Sequence, residues 1–286
     1  MTNQFDIDET STAALQDSMK SGEGIELPFP ALYFWAINGN PALRQVGGPQ
    51  YFGGWGSKAE QIIEACERLE KPLPPIFSPA EISTKDNKTY EAYIARILIV
   101  APIAFRNRWV AKDGKQASAD YVEGYRRHVQ VLTVLGQYNK EAKGVFYFAP
   151  TVLSAKGYQA GNLLTTLKEF EKHIDGERRK AAPKVPANCF YRKLGTFGEN
   201  PNVKMVGPEK SQSPITPICV ELPEKTDVAK LAIFYVGKQT AAEMSHLLNE
   251  AQEWLGAWKN APVTKRPTSD DDAAFEHAEP PLEEAF

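Results

Sequence analysis

The chain has 286 residues, 42% hydrophobic and 24% charged, with a net charge of −3. This is long enough for one large or two small domains with a real core, and the composition is ordinary for a soluble globular protein. Three cysteines, Cys66, Cys189 and Cys219, lie far apart with no Cys-x-x-Cys or Cys/His cluster, which supports neither a disulfide framework nor a zinc site. The longest apolar run, from Ile97 to Phe105, is far short of a membrane span. No positively charged start followed by an apolar run marks a signal peptide, so a cytoplasmic location and no membrane partner are expected.

Taken in order, residues 1–24 are polar and acidic and read as a flexible N-terminus. A strand is expected over Ala31–Ile37, closed by the turn signal Asn38-Gly39-Asn40-Pro41. Arg44 to Lys58 holds five glycines and three aromatics and reads as a glycine-rich loop. Ser57 with Glu60 is a capping-box signature before a helix over Ala59–Lys71, which would turn Ile62, Ile63, Cys66 and Leu69 inward.

Tyr90–Val110 reads as one long or two short strands, with Pro102 demanding a bulge or an edge. His128–Leu135 and Gly144–Ala155 read as a strand pair. A helix over Asn162–Ile174 follows, with Leu163, Leu164, Leu167, Phe170 and Ile174 inward, and Gly176–Pro186 reads as a basic loop. Cys189–Leu194, Thr216–Leu222 and Lys230–Val236 are further strand candidates. Thr240 with Glu243 is a second capping-box signature, opening a helix whose apolar stripe of Met244, Leu247, Leu248, Ala251, Leu255 and Trp258 runs to Lys259. Trp254 lies off that stripe.

Strands dominate, with one helix between strand groups and one closing the body, so the fold class is a β-dominated α+β domain. An oligonucleotide-binding (OB-like) barrel with insertions and a C-terminal helix is compatible with this order. The organisation is a body over 25–260, a linker over 261–268 and an acidic tail over 269–286, which carries seven carboxylates and no Lys or Arg. The tail cannot bury enough apolar surface to offset its ordering entropy, so disorder is expected there. Outside residues 1–27 and 269–286, 32 basic residues face 23 acidic ones, so the middle of the chain carries a net +9. A cationic body between anionic ends suits a polyanion ligand.

No phosphate-binding glycine loop, nucleophile elbow or His-Glu-x-x-His motif is present, and the four histidines have no nearby ligand or nucleophile pattern. The chain therefore reads as a binding protein, with no catalytic residue, metal or cofactor expected. Single-stranded nucleic acid needs a cationic groove for its backbone and flat side chains for its bases. Arg44, Tyr51, Phe52, Trp55 and Lys58 share the glycine-rich loop, where glycines let a backbone approach a ligand closely. Arg106, Arg108 and Trp109 follow the apolar strand together with Phe105. Tyr125, Arg126 and Arg127 form a third group near Tyr121; Tyr191, Arg192 and Lys193 form a fourth, and Lys156 adds a smaller one. For each group the opposing reading is that its aromatics are core and its charges are the solvated ends of strands.

The tail carries a family resemblance. An acidic, proline-containing terminus with Asp270, Asp271 and Asp272, then Glu283, Glu284 and a final Phe286, resembles the C-terminal tips of bacterial and phage single-stranded DNA-binding proteins. It ends Glu-Glu-Ala-Phe where the bacterial tip usually ends Pro-Phe. The resemblance implies an oligonucleotide-binding barrel for the body and DNA protection during replication, recombination or repair. It also implies a tip that recruits partner proteins and folds back on the DNA groove when no DNA is bound. A homo-oligomer is compatible with this reading. The residues leave open a strand-annealing recombination protein, a metal-dependent nuclease, and a phage structural protein with a solubilising tail.

Overall fold

The structure is a computed structural model describing residues 26–38, 53–83, 89–111, 116–197, 204–206, 213–223 and 227–260. Its centre is a large mixed sheet. β5 (Ile97–Val110), β7 (Arg126–Asn139) and β8 (Gly144–Lys156) form an antiparallel trio. β1 (Leu32–Asn38) lies parallel to β8, and β2 (Gly53–Lys58), β4 (Thr89–Ala95) and β3 (Ser78–Ser83) continue the sheet antiparallel. On the other side of β5 come β9 (Arg192–Gly195) and β12 (Cys219–Val220), while the two-residue β6 (Ala117–Ser118) pairs with the end of β5. β10 (Lys204–Val206) and β11 (Ser213–Ile215) make a separate small ribbon. The protein is thus of the β-rich α+β class, and its sheet is not closed into a barrel.

The sheet nevertheless curls. β4 and β5 are one run of chain bent at Arg96, yet β4 pairs with β2 and β5 with β7 and β9. β2 and β9 are separated by four strands along the hydrogen-bonded order but touch directly. The Trp55 indole N–H donates to the Leu194 carbonyl at 3.0 Å, and the Thr196 hydroxyl donates to the Gly53 carbonyl at 3.2 Å. Backbones meet closely at this bend, since a Cβ on Gly195 would stand 1.9 Å from the Arg96 carbonyl oxygen.

One face of the sheet is covered by α1 (Ala59–Arg68) and α2 (Gly157–Ala181), which bury Phe34, Trp55, Ile62, Val129, Val131, Leu153 and Leu163 in the main core. The other is covered by α4 (Gly237–Glu250) and α5 (Gln252–Asn260), with Leu132, Val134, Val152, Met244, Leu247 and Trp254 between them. The short α3 (Val228–Phe234) packs Leu231 against Phe170 and Ile174 of α2.

The strand pair around Gly136–Lys143 and the inward Leu163, Leu167, Phe170 and Ile174 stand as expected, and a register shift falls between Pro102 and Ala104. Elsewhere the structure corrects the expectations. The part of the glycine-rich segment that is described, Gly53–Lys58, is the interior strand β2; at Gly56 the Ile37 side chain fills the space a Cβ would take, with Ile37 Cδ1 1.9 Å from that position. Ser57 is accordingly a strand residue opposite Tyr93, buried, with no hydrogen-bond partner among the described residues, and forms no capping box. Ile63 faces outward and is 43% exposed. α2 runs on through the basic stretch to Ala181. Residues Lys230–Val236, expected as a strand, lie largely in α3, whose first turn is capped by Asp227 accepting from the Lys230 N–H at 2.8 Å. The last helix breaks at Ala251 into α4 and α5, and α4 starts at Gly237, so Thr240 lies inside it.

Candidate nucleic-acid interface

At one end of the β5–β7–β8 trio, alternation sends neighbouring side chains to opposite faces of the sheet. Arg106 stands opposite Gln130 and Arg108 opposite His128, while on β8 Ser154 and Lys156 continue the same two rows. These six polar residues share the face under α5. The adjoining positions Val129, Val131, Leu153 and Ala155 turn to the apolar face under α2.

The polar row is largely occupied by the protein itself. Arg106 Nε and Nη2 donate to Gln130 Oε1 at 2.9 and 2.6 Å, and Nη1 donates to the Trp254 carbonyl at 2.7 Å. Its guanidinium lies 3.8 Å from the centre of the Trp254 ring and 4.4 Å from that of Trp258; Arg108 is also 4.4 Å from Trp258. The His128 ring centre is 4.8 Å from that of Trp258, and its Nε2 lies 3.1 Å from Ser154 Oγ. Two tryptophans of α5 thus sit on a cationic floor in the arrangement that attracts a cation to a ring face. Arg106 is 5% exposed and acts as a structural bridge between β5, β7 and α5, not as a surface contact.

On the opposite face Trp109 stands across from Arg127, whose guanidinium lies 5.8 Å from the indole. Tyr121, half exposed, meets Trp109 edge-on at 4.8 Å. The Tyr125 hydroxyl donates to Gln116 Oε1 at 2.5 Å. Arg126 opposes Val110 beyond the last β7–β8 pair at that end, His128 with Lys156. The Nε atoms of Arg126 and Arg127 have no hydrogen-bond partner among the described residues. The tip of these strands therefore gathers Arg108, Trp109, Tyr125, Arg126, Arg127 and Lys156, which come from three separate stretches of sequence.

Other expected contacts lie elsewhere. Trp55 is fully buried in the core; Tyr191 is fully buried against α4, and burial pushes its phenol pKa up to about 12. Arg192 is fully buried beneath α2, where it donates to the carbonyls of Leu167 at 3.2 Å and Ala187 at 3.1 Å; desolvation pulls its pKa down to about 10. None of the three presents a surface to a base, because long-range packing has claimed each. Lys193 points to the face opposite its neighbour Arg192 and pairs with Glu221, and Lys58 ends β2 with its ammonium 5.3 Å from the Tyr90 ring. Arg44, Tyr51 and Phe52, and the tail residues Asp270, Asp271, Asp272, Glu283, Glu284 and Phe286, lie outside the described residues.

Trp258 was legible in the sequence as an apolar stripe residue but not as a partner of Arg108. Among the described residues no three His, Cys, Asp or Glu side chains gather as a metal site, and no helix is long and apolar enough to cross a membrane. No family model matches the chain, and comparisons with curated proteins and with solved structures return no match.

Proposed function

We propose that this protein binds single-stranded DNA without strong sequence preference and protects it during replication, recombination or repair, while its acidic C-terminal tip recruits partner proteins and competes with the DNA. The observation that carries the reading is the Trp109–Arg127–Tyr121 cluster on one face at the end of the β5–β7 pair, with Arg126, Arg108 and Lys156 at the same strand ends. Cations next to exposed aromatic rings supply both backbone neutralisation and base stacking. A barrel-like body belongs to the same proposal. In its support, the pairing path β5–β7–β8–β1–β2–β4 starts and ends on one bent run of chain, and β2 touches β9 across the gap. For the tip, support comes from its charge and from α5, whose Trp258 rests on Arg108 only two residues before the helix ends.

Replacing Arg126 and Arg127 together by Glu should weaken binding of a fluorescent oligo-dT by more than about tenfold at low salt, with the melting temperature kept. Wild-type affinity in that variant would overturn the interface. Removing 269–286 should tighten binding to the same oligonucleotide at low salt, since a tethered polyanion competes at about millimolar effective concentration. An unchanged dissociation constant would remove the competing role of the tip.

A further inference from the structure

Between the two strands that flank it, the edge of β5 is open among the described residues. β9 pairs with Ile97–Val100 and β6 with Trp109–Val110, and no strand pairs with the edge between Ala101 and Arg108. Beside that edge runs an open groove of about 560 Å³, with a largely apolar floor that includes Pro102, Ile103, Phe105, Val131, Leu164 and Leu167. Phe105, 52% exposed, lies on the same face of β5 as Trp109, about 13 Å away along the strand at a strand's ordinary rise. The groove therefore opens on the same face of β5 as the Trp109–Tyr121–Arg127 cluster, between it and α2.

The far wall belongs to α2. Lys168 and Glu171 line the groove, and with Lys172 and Asp175 they line an adjoining cavity. Both acids are already engaged: Glu171 lies 3.7 Å from Arg192, and Asp175 accepts from Arg178 and Arg179 at 2.5 and 2.6 Å. Arg178 and Arg179 hold the Asp175 carboxyl below the usual carboxylate range. Lys168 and Lys172, four residues apart on one helical face and both exposed, have no partner among the described residues, so the wall presents two unpaired ammonium groups beside acids that are already paired.

We infer that this groove is a second stretch of the single-stranded nucleic-acid path, with a base stacked on Phe105 and the backbone held by Lys168 and Lys172. The inference rests on the function proposed above and extends it to residues outside the strand-tip cluster. An added peptide strand would need a regular backbone edge, and here Pro102 offers no N–H and the register breaks between Pro102 and Ala104. An exposed ring beside unpaired lysines matches a stacked polyanion better.

The test measures fluorescence polarisation of labelled oligo-dT at two salt concentrations with the full chain, Phe105→Ala, and Lys168→Glu with Lys172→Glu. Phe105→Ala should weaken binding at least about fivefold, and the double lysine variant at least about tenfold with a shallower salt dependence. Melting temperatures should stay at the wild-type value, because all three side chains are on the surface. Wild-type affinity in both variants, with Arg126→Glu/Arg127→Glu still deficient, would overturn the groove and leave the proposed function standing. Absence of oligo-dT binding by the unmodified chain would overturn both.

Discussion

Trp55→Ala is expected to lower stability by about 3–5 kcal/mol, the cost of emptying a large aromatic site in a well-packed core. Trp55 is fully buried on β2, packed in the main core with Phe34, Ile62 and Ala95, and its indole N–H reaches across to the Leu194 carbonyl of β9. That bond joins two strands that do not pair, so the loss falls where the sheet curls on itself. Trp55→Phe keeps most of the apolar contact and should cost about 1–2 kcal/mol through the orphaned carbonyl. Urea denaturation of the two variants checks both numbers. A base-stacking tryptophan in a loop would behave in the opposite way, leaving the denaturation midpoint in place and weakening oligonucleotide binding.

Arg106→Ala should cost about 3–5 kcal/mol, because it strips two buried acceptors of their donor and removes a cation from two tryptophan faces. The acceptors are Gln130 Oε1 and the Trp254 carbonyl, and the rings are those of Trp254 and Trp258. α5 should loosen from the sheet as a result, moving tryptophan emission to longer wavelength before global unfolding. Arg106→Lys should recover little, since an ammonium cannot present a planar fork to Gln130 and the helix carbonyl together. If Arg106 instead touched DNA, the variant would lose affinity at unchanged stability. Neighbouring Arg108 differs: it shares the Trp258 ring but is only partly buried.

The two faces of the β5–β7–β8 trio differ in kind. Beneath α2 the trio is apolar, and the helix is held there by burial, with the Arg192 hydrogen bond to the Leu167 carbonyl added from β9. Beneath α5 the sheet is apolar at Leu132 and Val152 but polar at Arg106, Gln130 and His128, so packing of Trp254 is joined there by ring stacking and arginine hydrogen bonds. An apolar contact tolerates small shifts, whereas the polar one depends on direction and distance.

Sequence alone determined the features that local periodicity encodes: a β-dominated α+β chain, the long β7–β8 pair, the inward face of α2, the irregularity at Pro102, and the charge asymmetry between a cationic body and anionic ends. Alternation also separates Arg106 and Arg108 from Trp109 and Arg127. It does not say which side another element will cover. That was decided only in the tertiary structure, by α5, whose Trp254 lies 148 residues from Arg106. The same holds for Trp55, whose hydrogen-bond partner is 139 residues away, and for Arg192 beneath α2. A basic–aromatic cluster reads identically whether it waits for a base or has already been filled by the protein's own helix, because burial is set by what packs from afar. The short apolar run now in α3 misled for a related reason: seven residues are too few for period to separate strand from helix, and Asp227 supplied the cap that chose the helix.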